Sequence, residues 1–265
     1  MGQVPERADF LLIGDGRLAR HLSHYFHKRN FHKRKLTVER WSRRRGVIDS
    51  GTGAPACGLD ELLRRADRVL LAIRDDALED FAARHRDEAA PETLWIHFSG
   101  SAVIDGVWSA HPLSTFARSL YDDETYASIP FVIEAEGPPF AELLPGLDNP
   151  SAAIPRQQKA LYHALCVCAG NFTQILWQQL FSVFEGRLGL PPDLARPYLR
   201  QTAHNLDQAA GRDVLTGPLA RRDHQTIEQN LTALRGAGLT ELARIYESFL
   251  ELADIPADGT VLEVA

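Results

Sequence analysis

The chain has 265 residues, of which 45% are hydrophobic and 24% charged, with 19 Gly and 15 Pro. These values exclude wholesale disorder, collagen-like repeats and low-complexity sequence, and the length suits two domains better than one. The net charge of −6 is unevenly spread: ten Lys/Arg against Glu39 give the stretch from Arg20 to Arg45 a charge of +9, which leaves −15 for the rest.

A basic patch on an acidic protein attracts anions, either nucleic acid or a phosphorylated cofactor. No apolar run approaches the roughly 20 residues needed to cross a bilayer. The first residues lack a signal-peptide core, and Glu6 stands where myristoylation needs Ser or Thr. No membrane association is expected. Cys57, Cys166 and Cys168 form no disulfide framework, which points to a reducing, cytoplasmic setting.

In chain order, residues 9–13 (Asp-Phe-Leu-Leu-Ile) read as a short buried strand, followed by a glycine turn and a helix over 17–29. Residues 35–41 alternate as a second strand, 59–66 read as a helix, 68–73 as a strand, 75–85 as a helix and 94–98 as a strand. Residues 128–135 and 151–155 are further strand candidates. This alternation predicts a mostly parallel sheet with helices on both faces. From Arg156 the pattern becomes helical through Leu252, with breaks at 189–192 and 215–218. The boundary therefore falls after Pro155: an α/β domain over 1–155 and an all-α domain over 156–265.

Gly14-Asp15-Gly16-Arg17-Leu18-Ala19 fits G-x-G-x-x-G/A between a strand and a helix, the context of a Rossmann dinucleotide fingerprint. The first glycine makes the turn and the second lets backbone approach a pyrophosphate. The small third residue allows helix and strand to pack closely. The pyrophosphate then sits on the free N–H groups of the helix N-terminus.

The second strand ends in Ser42-Arg43-Arg44-Arg45. A hydroxyl followed by guanidinium groups suits the 2′-phosphate of NADP(H), because Arg binds phosphate bidentately. Glu39, inside the strand, is a poor substitute for the acid that an NAD site places at the strand end. Ile73 and Ser99, at the ends of later strands, complete the expected cofactor edge.

Asp75 is a plausible N-cap. His97 and His111, in short loops at the same sheet edge, are candidates to touch substrate. His21, His24, His27 and His32 read as surface residues. No cluster has metal-ligand spacing, so no metal is expected.

On a helical wheel at 100° per residue, Lys159, His163, Gly170, Asn171, Gln174 and Gln178 form a polar stripe. It lies opposite Leu161, Leu165, Cys168, Phe172, Ile175 and Leu176. An uncharged, hydrogen-bonding stripe with a glycine suits either a polar ligand or a helix–helix contact. In the ligand reading, His163 or Lys159 gives the proton as hydride arrives, and Asn171 orients substrate. Thr216 and Asp223 are candidates for the same cleft, or simply for helix caps.

The ordered motifs Gly-x-Gly-x-x-Ala, His-x-Ser-Gly, His-Pro-Leu-x-Thr-Phe, Lys-x-x-Tyr-His, Gly-Asn and Leu-Thr-Gly-Pro-x-x-Arg-x-Asp cover most of the chain. They resemble a family of Rossmann-like proteins with a C-terminal helical domain of unknown function. That family is similar to NADP-dependent oxidoreductases of the ketopantoate reductase, pyrroline-5-carboxylate reductase and 6-phosphogluconate dehydrogenase type. The resemblance implies an N-terminal nucleotide domain and a homodimer through the C-terminal helices. It also places Lys159, His163, Asn171, Thr216 and Asp223 near an interdomain cleft, and some relatives use a deazaflavin.

Departures are visible. Arg222 stands where members read Gly, Ser114 where Gln is common, and Val167 where relatives of known chemistry often carry Lys. The expected function is an NADP(H)-dependent oxidoreductase acting on a small C=O or C=N substrate. A nucleotide-binding sensor or scaffold without turnover is the alternative, and a nucleic-acid binder a third reading.

Overall fold

The structure is a computed structural model that describes residues 7–28, 36–50, 58–208 and 214–253. The chain divides into two compact units, Met1–Leu176 and Trp177–Ala265. The sheet of the first unit ends at Ile154, next to the boundary read from composition, and the helix that follows begins inside that unit.

The first unit is built on an eight-stranded sheet. Its strands are β1 (Phe10–Ile13), β2 (Val38–Ser42), β3 (Gly46–Ser50), β4 (Arg68–Leu71), β5 (Leu94–His97), β6 (Trp108–Pro112), β7 (Phe131–Glu134) and β8 (Ser151–Ile154), in the order β3-β2-β1-β4-β5-β6-β7-β8. Neighbours from β2 through β6 run parallel, as do β7 and β8, whereas β2–β3 and β6–β7 are antiparallel.

Helices α1 (Arg17–Lys28), α2 (Leu59–Arg65), α3 (Leu78–His85), α4 (Asp123–Ser128) and α5 (Phe140–Leu143) connect the strands. Successive β1 residues serve opposite faces. Phe10 and Leu12 join Leu22 and Phe26 of α1, Tyr126 of α4 and Phe140 of α5. Leu11 and Ile13 join Leu62 and Leu63 of α2 and Leu78 of α3. A strand covered on both faces has no polar side, which is why β1 is an unbroken apolar run.

Two strands and two short helices, α4 and α5, were not anticipated. β3 is a short antiparallel edge reached through the arginine turn. β6 contains Ser109, His111 and Pro112, so His111 lies in a strand and not in a loop. Its polarity is accommodated locally, since the buried Ser109 hydroxyl donates to the Ser99 carbonyl at 3.1 Å. Helix α4 is capped by Asp122, whose carboxylate accepts from the Thr125 N–H.

After β8 a continuous helical run comprises α6 (Lys159–Cys166), a π-helical segment (Val167–Phe172) and α7 (Thr173–Gly186). The wider π turn shifts the face that each residue presents. A wheel at constant 100° therefore loses register beyond Cys166.

The second unit adds α8 (Arg196–Gln208), α9 (Gly217–Ala220), α10 (His224–Gly236) and α11 (Thr240–Leu252). Its small core comprises Ile227, Leu231, Ala243 and Leu250. Among the described residues no helix is long and apolar enough to cross a membrane.

Candidate functional site

Gly14 has φ +146°, and a Cβ there would lie 2.3 Å from the Ala72 carbonyl oxygen, so only glycine fits. The turn is tied to both neighbouring strands: the Gly14 N–H donates to the Trp41 carbonyl and the Ala72 N–H to the Ile13 carbonyl, each at 2.9 Å. Gly16 is the opposite case, because a Cβ there would meet nothing within 4 Å. Open space thus lies before the first turn of α1, which carries no acidic side chain. Ala19 is fully buried and brings α1 close under the turn, while Leu18 packs against the core. Arg17 is exposed and Ile73 half-buried after β4. An open backbone cradle at a helix N-terminus fits an anionic nucleotide.

At the end of β2, Asp15 gathers three guanidinium groups. Its carboxylate lies 3.1 Å from Arg40 Nη2, 3.4 Å from Arg44 Nη2 and 3.2 Å from Arg45 Nε. Arg40 also donates from Nε to the Gly14 carbonyl at 3.1 Å. Arg43 projects from the same exposed turn. Ser42 is buried, and its hydroxyl accepts from the Arg45 N–H at 3.3 Å. Glu39 is fully buried in a two-pronged pair with Arg65 at 2.6 and 3.2 Å, so it ties β2 to α2 and does not reach the strand end. Lys33, Arg34 and Lys35 of the basic run, with His32 and Cys57, lie outside the described residues.

A second cluster forms where β5, β6 and β7 meet the start of α6. His97 is fully buried. Its Nδ1 accepts from the Ser99 N–H at 3.2 Å, and its Nε2 has no hydrogen-bond partner. Burial first, then Lys159 and Arg156, lowers its pKa to about 3, so the ring is neutral. Ser99 donates its hydroxyl to the Asp75 carboxylate at 2.6 Å and accepts from the Ala102 N–H at 3.1 Å. Asp75 is therefore a partner of Ser99 and caps no helix; the residue in the cap position is Arg74.

His111 Nδ1 lies 2.7 Å from the Tyr162 hydroxyl. Burial and the neighbouring His163 lower its pKa to about 4, while burial and Cys166 push the Tyr162 phenol up. The His111 and His163 rings meet edge-on with centroids 5.9 Å apart. Both press on Gly100, where a Cβ would lie 2.6 Å from His163 Cδ2.

Lys159 is buried and donates from Nζ to Glu134 Oε1 at 3.0 Å, while Arg156 Nε donates to Glu134 Oε2 at 2.8 Å. Desolvation lowers the Lys159 pKa, and the Glu134 bond opposes that shift. Arg156 also stacks over Trp108, 4.8 Å from its ring centre. Lys159 and Tyr162 line a narrow crevice with Gly100, Ser109 and His111.

The structure thus brings Lys159, His163, His97, His111 and Ser99 together, and separately Gly14, Asp15, Gly16, Ser42 and Arg44. Asn171 and Gln174 are exposed. Thr216 and Asp223 belong to the second unit. Thr216 is exposed at the α9 cap position without a side-chain bond, and Asp223 caps α10 by accepting from the Thr226 N–H and hydroxyl at 3.1 and 2.8 Å. His21 is buried, not on the surface. Its ring lies 2.8 Å from the Tyr126 hydroxyl and 3.0 Å from the Ala117 carbonyl.

Sequence reasoning missed Glu134, Arg156, Tyr162 and Arg40 as members of these clusters. The signal for Glu134 was a single acid closing the apolar strand Phe-Val-Ile-Glu, with Arg156 and Lys159 following the next strand.

The fold is Rossmann-like, an α/β sheet unit followed by helices. Residues 129–251 match a family profile described as a domain of unknown function, DUF2520. No curated protein matches the chain by sequence.

Among solved structures, a Bacteroides fragilis protein described as a putative NADP oxidoreductase is similar at 23% identity and TM-score 0.70, covering 93% of this chain and 98% of its own. The Thermotoga maritima protein TM1727 is similar at 21% identity and TM-score 0.65, covering 94% and 98%. Plasmodium falciparum pyrroline carboxylate reductase, solved with NADP bound, is similar at 11% identity and TM-score 0.54, covering 96% and 99%.

Proposed function

We propose that the chain is an NADP(H)-dependent oxidoreductase for a small C=O or C=N substrate. The observation that carries this reading is the convergence at one sheet edge of the open Gly16 cradle and the arginines that end β2. The α1 N-terminus would bind the pyrophosphate. Ser42, Arg43 and Arg44 would bind the 2′-phosphate, with Ile73 and Ser99 along the cofactor edge. Bound nicotinamide supplies the hydride chemistry.

The cluster at Gly100 supplies polar groups for substrate. His163 would hold or give the proton at its imidazole. Neutral His111 would hydrogen-bond substrate, His97 would reach it only through a group that enters the cluster as far as its buried, unpartnered Nε2, and Lys159, fixed by Glu134, would keep positive charge nearby. Asn171 would orient substrate. The reading includes a homodimer through the helical run that starts at Lys159, because its apolar side chains are uncovered.

Titration with NADPH and NADH, followed by nicotinamide fluorescence, tests the cofactor. NADPH is expected to bind more tightly, and Arg43→Ala to weaken NADPH more than NADH. Equal losses would remove the 2′-phosphate role. Binding without reduction of any member of a carbonyl and imine panel would favour a nucleotide-binding module without turnover. The observation on that side is Lys159 sealed against Glu134.

A further inference from the structure

The arginine cluster at the end of β2 carries its own anion. Arg40, Arg44 and Arg45 contribute three positive charges and Asp15 one negative charge, at 3.1, 3.4 and 3.2 Å. The three arginines are held differently. Arg40 is 9% exposed and fixed a second time by the Gly14 carbonyl. Arg44 and Arg45 are 80% and 57% exposed. Their contacts are longer than the roughly 2.7–2.9 Å of a strong charge-assisted bond, and exposed pairs of this kind hold weakly.

We propose that Asp15 is a resident counter-anion: it holds Arg44 and Arg45, and a phosphomonoester on the adenosine ribose must take both guanidiniums from it. This rests on the nicotinamide-dinucleotide reading and adds the residue that sets its selectivity. A phosphomonoester carries a charge of about −1.5 to −2 and three acceptor oxygens, so it competes well for two loosely held forks. With Arg40 anchored and Asp15 in place, the cluster has a surplus of +2, which matches that charge. A ribose diol brings no charge, leaves Asp15 where it is, and gains nothing from the arginines. Asp15 therefore lowers the affinity for every 2′-phosphorylated ligand by competing with it.

The test compares wild type, Asp15→Asn and Asp15→Ser by calorimetry with 2′-AMP and 5′-AMP, and by fluorescence with NADPH and NADH. Removing a like charge from about 4 Å is worth about 1 kcal/mol in water, or about fivefold in affinity. Asp15→Asn is expected to bind NADPH and 2′-AMP about fivefold more tightly. NADH and 5′-AMP should gain less, so selectivity for the 2′-phosphate rises, and added salt should shrink the gain. Asp15→Ser, which cannot copy the carboxylate's shape, should show the same direction.

Unchanged or reduced selectivity in a folded variant overturns the proposal. If wild type binds neither dinucleotide, the oxidoreductase reading fails. The mononucleotides then decide this inference alone: equal binding of 2′-AMP and 5′-AMP in both proteins overturns it, and a gain for 2′-AMP on removing Asp15 supports it.

Discussion

His97 shows how one side chain at the sheet edge couples the fold to pH. Its Nδ1 accepts from the Ser99 N–H, its Nε2 is sealed without a partner, and its pKa falls to about 3 against 6.5 when unfolded. Between these values the unfolded chain binds the proton and the native chain does not. Stability contributed by His97 is therefore complete above about pH 6.5 and declines as pH falls toward 3. By pH 5 the loss is about 2 kcal/mol, from 1.36 kcal/mol per pH unit over about 1.5 units. His111, lowered to about 4, adds in the same direction. Urea midpoints at pH 7.5 and pH 5 measure the slope. His97→Gln is expected to flatten it, and an unchanged slope would show that other groups control it.

Among the elements, the turn before α10 departs from the resembled family in a way the backbone explains. Arg222 has φ +51°, the one positive value at a non-glycine among the described residues. Glycine adopts that conformation freely, whereas a side chain costs roughly 1 kcal/mol. Arg222→Gly is expected to raise unfolding free energy by about that amount in a denaturant titration; a loss would mean that the arginine side chain holds the turn.

The same comparison separates what was legible in the sequence from what was not. Strands with one meaning, such as Phe10–Ile13 with its unbroken apolar run, were readable because burial on both faces leaves no other pattern. The glycine turn was readable too, since Gly14 holds a backbone conformation that only glycine adopts freely and the turn falls between a strand and a helix. β6 was not, because its polar residues are satisfied outside the strand, Ser109 by the Ser99 carbonyl ten residues back and His111 by Tyr162 fifty-one residues on, which no local pattern reveals. Glu134 and His21 share that cause: each is buried by residues more than 20 positions away. The wheel over the helical run went astray beyond Cys166 because the π segment changes the angle per residue.

For the whole molecule the open question is what covers the apolar side of that helical run. Leu161 is 65% exposed, Leu165 60%, Phe172 51% and Ile175 49%. Leu161 and Leu165, one turn apart on α6, form an apolar patch of a kind that a folded chain rarely leaves in water, and Phe172 and Ile175 are exposed further along the run. Leu161 and Leu165 lie on the same helix as Lys159, Tyr162 and His163, so the residues proposed for chemistry and those proposed for association share one element. A second copy suits it, because a two-fold contact sets identical patches against each other and the patch itself carries no charged side chain that self-association would bury unpaired. The chain is expected to sediment as a dimer. Leu165→Glu would place two like charges in that contact and shift the protein toward monomer at low micromolar concentration, with the far-ultraviolet helix signal retained. A wild-type monomer, or a Leu165→Glu dimer of unchanged affinity, would assign the patch to another cover. If the dimer is real, dilution should also lower the thermal midpoint, since association stabilises only the folded chain.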